Sequence, residues 1–271
     1  MKRLIATLAL CASTGPLAAA QEAAWPDLRD ALYEDRVLND GSQMIAIDAP
    51  YRTDNDARTH VAAHLVAPAG LRFGSVSIIL DENPMPVSAV FSFDTPLPRF
   101  FFDVSLRING PTPLHIVAET SDGQLFVAES FIKTSGQGAC AAPPGTDPEA
   151  ALATLGEMLI EVGPVDAGGS VMGQLQALSD PQRSVSVDVS HPSHSGMQMD
   201  QISLLFIPMR YIEDLDIELD GQGYVDVTGS ISLSENPRIT LGVPSGAQSL
   251  DVTMTDTDGT VTHAHRLMPG Y

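Results

Sequence analysis

From residue 44 onward the chain alternates apolar and polar positions in short runs, separated by Gly, Pro, Asn and Asp. A period of two places successive side chains on opposite faces, so each run reads as a strand with one buried face. In the first half the runs are MIAIDAP (44–50), VAAHLVAP (61–68), SVSIIL (75–80), VSAVFSF (87–93), FFDVSLRI (101–108), LHIVAET (114–120) and LFVAESFI (125–132). In the second they are SVSVDVS (184–190), QISLLFIPMRYI (201–212), DLDIELDG (214–221), VDVTGSISL (225–233), RITLGVP (238–244), SLDVTMT (249–255) and TVTHAHRL (260–267). SVSVDVS alternates most cleanly, so Val185, Val187 and Val189 share a buried face. Many short strands at this spacing predict an all-β chain with a sandwich in each half.

Two stretches break the alternation. WPDLRDALY (25–33) predicts a helix with Pro26 near its start and Trp25, Leu28 and Leu32 as its buried face. Residues 135–145 are small, polar and Pro-rich and read as a linker. After them Thr146-Asp147-Pro148-Glu149 opens a second helix, with Thr146 as cap, Glu149 reaching back, and Ala151, Leu152, Leu155, Met158 and Leu159 as its apolar stripe. Each half has an ENP turn (82–84 and 235–237) and a late Asp-Gly turn (Asp122-Gly123 and Asp258-Gly259), an order that suits two related sandwiches in tandem. The expected division is 1–20 a signal peptide, 21–139 the first sandwich, 140–180 a cysteine arm with a helical connector, and 181–271 the second sandwich.

The first twenty residues have the order of an export signal: Met1-Lys2-Arg3, an apolar run from Leu4 to Ala12, and Ala18-Ala19-Ala20 before Gln21. No segment approaches the ~20 unbroken apolar residues that span a bilayer, so a soluble periplasmic protein without membrane insertion is expected. Asp and Glu number 34 against 14 Lys and Arg, a net charge of −20. Such a surface repels nucleic acid and anionic lipid and would attract a basic partner. No nucleophile elbow, Walker loop, dinucleotide fingerprint or HExxH occurs, so no enzyme and no cofactor are expected.

Cysteine usage changes the picture most. With Cys11 inside the export signal, Cys140 is the one thiol left, and an oxidising compartment makes an exposed thiol a liability unless it is used. Its setting, SGQGACAAPPG, has no large apolar residue to draw it into a core, so an exposed thiol is expected. Gly136 and Gly138 loosen the backbone before it, and Ala139 and Ala141 keep the segment slim. A thiolate on such an arm can hold cargo covalently and pass it on. Lys133 is the only nearby cation in sequence, so nothing local activates the thiol.

The order of these features resembles a known family. Residues DENPMP (81–86) and SDGQLFVAESFIKTSGQGAC (121–140) resemble SoxY, and HPSHSGMQMD (191–200), SLSENPRITLGVP (232–244) and MTDTDGTV (254–261) resemble SoxZ, the two subunits of a periplasmic sulfur carrier in thiosulfate oxidation. The resemblance implies two immunoglobulin-like sandwiches and places Cys140 where that family attaches its sulfur cargo. The family's arm is flanked by glycines and ends the chain, whereas GQGACAA is tethered at both ends. The fused order is similar to SoxYZ-like carriers associated with quinoprotein dehydrogenases, which implies enzymes of sulfur or alcohol oxidation, and cytochromes, as partners. A non-catalytic scaffold for a periplasmic dehydrogenase or cytochrome is the alternative. A copper-binding accessory protein is another, with His191, His194, Met197 and Met199 as imidazole and thioether ligands.

Overall fold

Residues 24–136, 138–164 and 182–268 are described by a computed structural model. The expected export signal, residues 165–180 of the expected connector and residue 181 lie outside them. The first half runs α1 (Trp25–Tyr33), β1 (Leu38–Asp40), β2 (Ile45–Asp48), β3 (Thr59–Val66), β4 (Phe73–Leu80), β5 (Val87–Leu97), β6 (Arg99–Leu106), β7 (Thr112–Thr120) and β8 (Leu125–Ile132). The second runs α2 (Pro148–Ala153), β9 (Met158–Pro164), β10 (Gln182–Val189), β11 (Ile212–Leu219), β12 (Gln222–Thr228), β13 (Arg238–Pro244), β14 (Ser249–Asp256) and β15 (Val261–Leu267). Alternation becomes burial as expected: Val185, Val187 and Val189 all face the core.

The strands form two sheets, and both run through the two halves of the chain. One has the order β1-β8-β7-β4-β5-β12-β11-β14-β15, the other β2-β3-β6-β13-β10-β9. The halves meet where β5 pairs with β12 (Phe91 opposite Val227, Phe93 opposite Val225) and β6 with β13 (Phe102 opposite Leu241, Val104 opposite Ile239). These contacts consume strand edges that would otherwise offer unpaired amides to other chains. The core is likewise continuous, with Phe91, Phe100 and Phe102 of the first half and Val225, Val227, Ile239 and Leu241 of the second in one apolar cluster. Phe91 stacks on Phe102 at 4.9 Å and meets Phe100 edge-on at 5.3 Å. Each such side chain contributes roughly 1.5–3 kcal/mol by leaving water.

Several local expectations are corrected. In α2 the cap is Asp147, not Thr146: its carboxylate accepts from the amides of Glu149 (3.0 Å) and Ala150 (3.2 Å). The helix stops at Ala153, because Gly156 takes a φ of +79° and Met158 and Leu159 then join β9, paired with β10. Helix α1 has the expected bounds, and Trp25 packs inward as expected, but Tyr33 joins it in place of Leu32. Trp25 and Tyr33 pack against Ile79, Val117 and Leu125, while Leu32 is exposed. Residues 201–211 are not a strand. The Asp200 carboxylate accepts from the amides of Ile202 (3.2 Å) and Ser203 (2.6 Å), turning the chain back on itself. An irregular hairpin results, joined by isolated bridges between Met199 and Phe206 and between His194 and Arg210. Its tip leaves Ile202, Leu204, Leu205 and Phe206 exposed.

Two continuous sheets around one core should unfold together. We expect a single cooperative denaturant transition for the full chain, with fluorescence and circular dichroism coincident. Cutting at a protease site introduced within residues 165–181 should leave both fragments bound to each other; two separate transitions, or fragments that part on a sizing column, would contradict the shared sheets.

Candidate functional site

The junction between the halves is a polar seam next to the apolar core. Asn83, from the first ENP turn, is buried and satisfied on all sides. Its Nδ2 donates to the Arg107 carbonyl (2.8 Å) and the Ser232 hydroxyl (2.9 Å), and its Oδ1 accepts from the Asn109 amide (2.9 Å). Asn236, from the second ENP turn, accepts from the His191 amide through its side chain (3.0 Å) and donates its own amide to the His191 carbonyl (2.8 Å). The two turns recognised as landmarks in the sequence therefore pin the two segments that build the site. Past β6 the chain stays paired with the second half: the Arg107 amide donates to the Ser232 carbonyl at 2.7 Å, and the Ser105 and Ser234 hydroxyls meet at 2.8 Å.

Arg107 extends from this strand end into the seam and is only 2% exposed. Its Nη1 donates to the carbonyls of Ser193 (2.5 Å), Leu233 (2.9 Å) and Ile231 (3.3 Å), all from the second half. No carboxylate among the described residues forms an ion pair with it. Burial lowers its pKa from the ordinary arginine value, yet a guanidinium remains charged in any protein environment. The seam thus holds a cation whose hydrogen bonds all end on carbonyl oxygens, with the Glu235 carboxylate acting on it through its charge.

The cysteine segment lies against this cation. Gly136 and Gly138 adopt φ of +81° and +73°, conformations open to glycine, and the Ala141 amide closes a turn on the Gly138 carbonyl at 3.1 Å. The Cys140 amide donates to Asn109 Oδ1 at 3.2 Å, and the Cys140 carbonyl accepts from the Ser195 hydroxyl. Gln198 Nε2 donates to the Ala142 carbonyl at 3.0 Å, and the Gly145 amide donates to the Glu235 carboxylate at 2.8 Å. Cys140 is fully buried, as is Ala139, while Ala141 is exposed. The expectation of an exposed thiol is therefore corrected. The groups that enclose it come from residues 107–109 and 193–198, not from its own flanks, so local composition carried no trace of them. Burial pushes the thiol pKa up to about 11, with the Arg107 charge pulling the other way.

Of the four residues weighed as copper ligands, both imidazoles are engaged in hydrogen bonds. His191 is buried; its Nδ1 accepts from the Ser193 amide at 2.9 Å, so its Nε2 carries the hydrogen and faces Asp256 at 3.4 Å. Asp256 is held in turn by Arg210 Nε at 2.8 Å. His194 Nδ1 meets Gln198 Oε1 at 3.2 Å, Met197 is half-buried, and Met199 is exposed on the hairpin. Among the described residues no group of three or more His, Cys, Asp or Glu could hold a metal ion. HPSHSGMQMD instead forms the wall on which the arm rests, through Ser195 and Gln198. Sequence reasoning missed Arg107, Asn109, Ser195 and Gln198. The one available signal was an arginine just past the end of a strand, in SLRING (105–110).

Two buried groups give opposite pH dependences. Between pH 9.0 and about 11 the unfolded chain releases the Cys140 proton and the folded one keeps it, so stability should fall as pH rises through this window. His191, held neutral by burial with a pKa of about 4 against 6.5, binds its proton in the unfolded chain first, so stability should fall as pH drops from 6.5 toward 4. The alkaline loss should be roughly 2–3 kcal/mol and should vanish in Cys140→Ser. Denaturant midpoints across pH measure both slopes, and an unchanged alkaline slope in Cys140→Ser would contradict the burial of the thiol.

Comparison with known proteins agrees with this division of labour. The SoxY family, described as sulfur oxidation protein SoxY, matches residues 29–140, ending on the buried cysteine. The SoxZ family, sulphur oxidation protein SoxZ, matches residues 174–266. A search of proteins of curated function returned no match. Among solved structures, the sulfur carrier protein SoxY from Chlorobium limicola f thiosulfatophilum is similar at 22% identity, over 41% of this chain and 96% of that one, with a TM-score of 0.33. Two variant forms of a superoxide reductase (neelaredoxin) from Ignicoccus hospitalis are similar at 16% identity, with TM-scores of 0.27 and 0.28; they cover 34% and 41% of this chain, and 80% and 92% of their own. The polypeptide is a SoxYZ-like carrier, in which a SoxY-family segment and a SoxZ-family segment follow one another in a single chain.

Proposed function

We propose that this chain is an exported, periplasmic carrier that holds sulfur cargo covalently on Cys140 and delivers it to partner enzymes. The observation that carries the reading is the place of the thiol. It ends the SoxY match, and its main chain is held by Ser195 and Gln198 of the SoxZ match. In the docked position the thiol is protonated at neutral pH and closed off from solvent, which suits a lone cysteine in an oxidising compartment. Release of the arm returns it to water, where an unperturbed thiol has a pKa near ~8.5 and a usable thiolate fraction.

The exposed thiolate attacks a sulfane sulfur of a donor. A new S–S bond forms on Cys140 as the donor's own S–S bond breaks, the leaving thiolate takes the electron pair, and no external oxidant is consumed. The seam's part in this step is to control access, and the partner supplies the rest of the chemistry. The net charge of −20 favours partners with a basic face around their cleft. Enzymes of sulfur oxidation fit this role. A quinoprotein dehydrogenase system with its cytochromes is the finer reading, motivated by the fused order of the two segments.

Intact-mass spectrometry of protein purified from its source, with and without reductant, tests the proposal. The expected result is a reductant-sensitive mass addition at Cys140 and a block in cargo transfer in Cys140→Ser. An unmodified thiol in every preparation, together with unimpaired transfer by Cys140→Ser, would overturn it.

A further inference from the structure

Arg107 is more than a structural tie. Its three hydrogen bonds all leave from Nη1 and all end on carbonyl oxygens, and no group among the described residues accepts from its Nε or Nη2. The nearby Glu235 carboxylate acts on Arg107 only through its charge; its hydrogen bond goes to the Gly145 amide at 2.8 Å. Of the other titratable groups around the seam, His194 is held toward its neutral form by burial, and Arg210 is spent on Asp256. Burying a guanidinium that has no carboxylate hydrogen-bonded to it is costly, and carbonyl dipoles with a charge acting from a distance offset only part of that cost. Cys140 sits beside this cation: its amide donates to Asn109, two residues after Arg107, and its carbonyl accepts from Ser195, two residues after the Ser193 carbonyl that Arg107 holds. An anion on its sulfur would give the guanidinium a hydrogen-bonded anionic partner, and a planar or trigonal oxyanion matches the guanidinium fork best.

We propose that Arg107 is a positioning residue for negative charge on the docked Cys140 sulfur, so that an anionic adduct stays docked in the seam while a neutral adduct of the same size leaves it. This rests on the reading of Cys140 as the attachment point, and it adds a rule for release: discharge or neutralisation of the cargo frees the arm, and loading with an anionic sulfur group returns it. The seam would then protect charged cargo from water and stray thiols between encounters.

The test uses the full chain with two adducts of nearly equal size. Alkylation in mild denaturant with iodoacetate or iodoacetamide, followed by refolding, forms a C–S bond on Cys140 as iodide leaves and the thiol proton passes to buffer. One product carries a carboxylate and the other a neutral amide. Hydrogen exchange at the Cys140 amide, which donates to Asn109 Oδ1, reports docking directly. In the wild type the carboxymethyl form should be protected about tenfold or more over the carbamidomethyl form, the factor one charge-assisted hydrogen bond supplies. The ratio should collapse to within about twofold in Arg107→Gln and be largely kept in Arg107→Lys, which retains the charge. Equal protection of the two adducts in the wild type would overturn the proposal even if Arg107→Gln fails to fold. A natural adduct on Cys140 combined with a flat ratio removes the role of Arg107 and leaves the carrier reading standing. A large ratio on a thiol never modified in its source does the reverse.

Discussion

The pairing of β5 with β12 and of β6 with β13 is the constraint on which the site depends. Those two ladders join the halves into shared sheets, and they bring residues 105–109 alongside residues 230–236. Every acceptor of the Arg107 guanidinium lies across that junction, and so do Ser195 and Gln198, which hold the cysteine segment. Neither half alone would enclose the thiol. Fusion in one chain makes their meeting intramolecular, at an effective concentration that a free pair of subunits lacks.

The arm itself is held lightly. Its described residues between Ile132 and Pro148 have no regular secondary structure, and a handful of hydrogen bonds, each worth about 1 kcal/mol net, tie it to the seam. The sheets beneath it bury one continuous apolar core. Opening of the arm therefore belongs to the low-energy end of the molecule's motions, and unfolding of the sheets to the high end. Tethering at both ends limits how far the thiol can travel, so a receiving enzyme must approach the seam closely.

Periodicity makes much of the fold legible. Alternation alone assigns Val185, Val187 and Val189 to one face, and the bounds of α1 follow from Pro26 and the apolar spacing after it. Residues 201–211 mislead because Leu204, Leu205 and Phe206 look like strand residues, whereas the Asp200 side chain folds them into a hairpin. Strand β9 is hidden because Met158 and Leu159 also continue a helical stripe, and only the left-handed Gly156 breaks it. The candidate cysteine is found because it stands alone, but its burial is not. Small residues around a thiol indicate a slim segment and say nothing about a remote wall. The continuity of the sheets is equally hidden, since edge pairing depends on backbone groups that every residue carries.

The most direct test is the rate at which a small thiol reagent labels Cys140 as denaturant is raised through the range where the protein stays folded. A docked arm that opens locally predicts labelling far slower than in the unfolded chain. It also predicts little dependence on denaturant below the unfolding transition, and a faster rate when Ser195→Ala removes one of the ties. A native rate equal to that of the unfolded chain would show that the thiol is never enclosed. A rate that rises only with global unfolding would show that the arm does not leave the seam, and either result would contradict a carrier that shelters its thiol between partners.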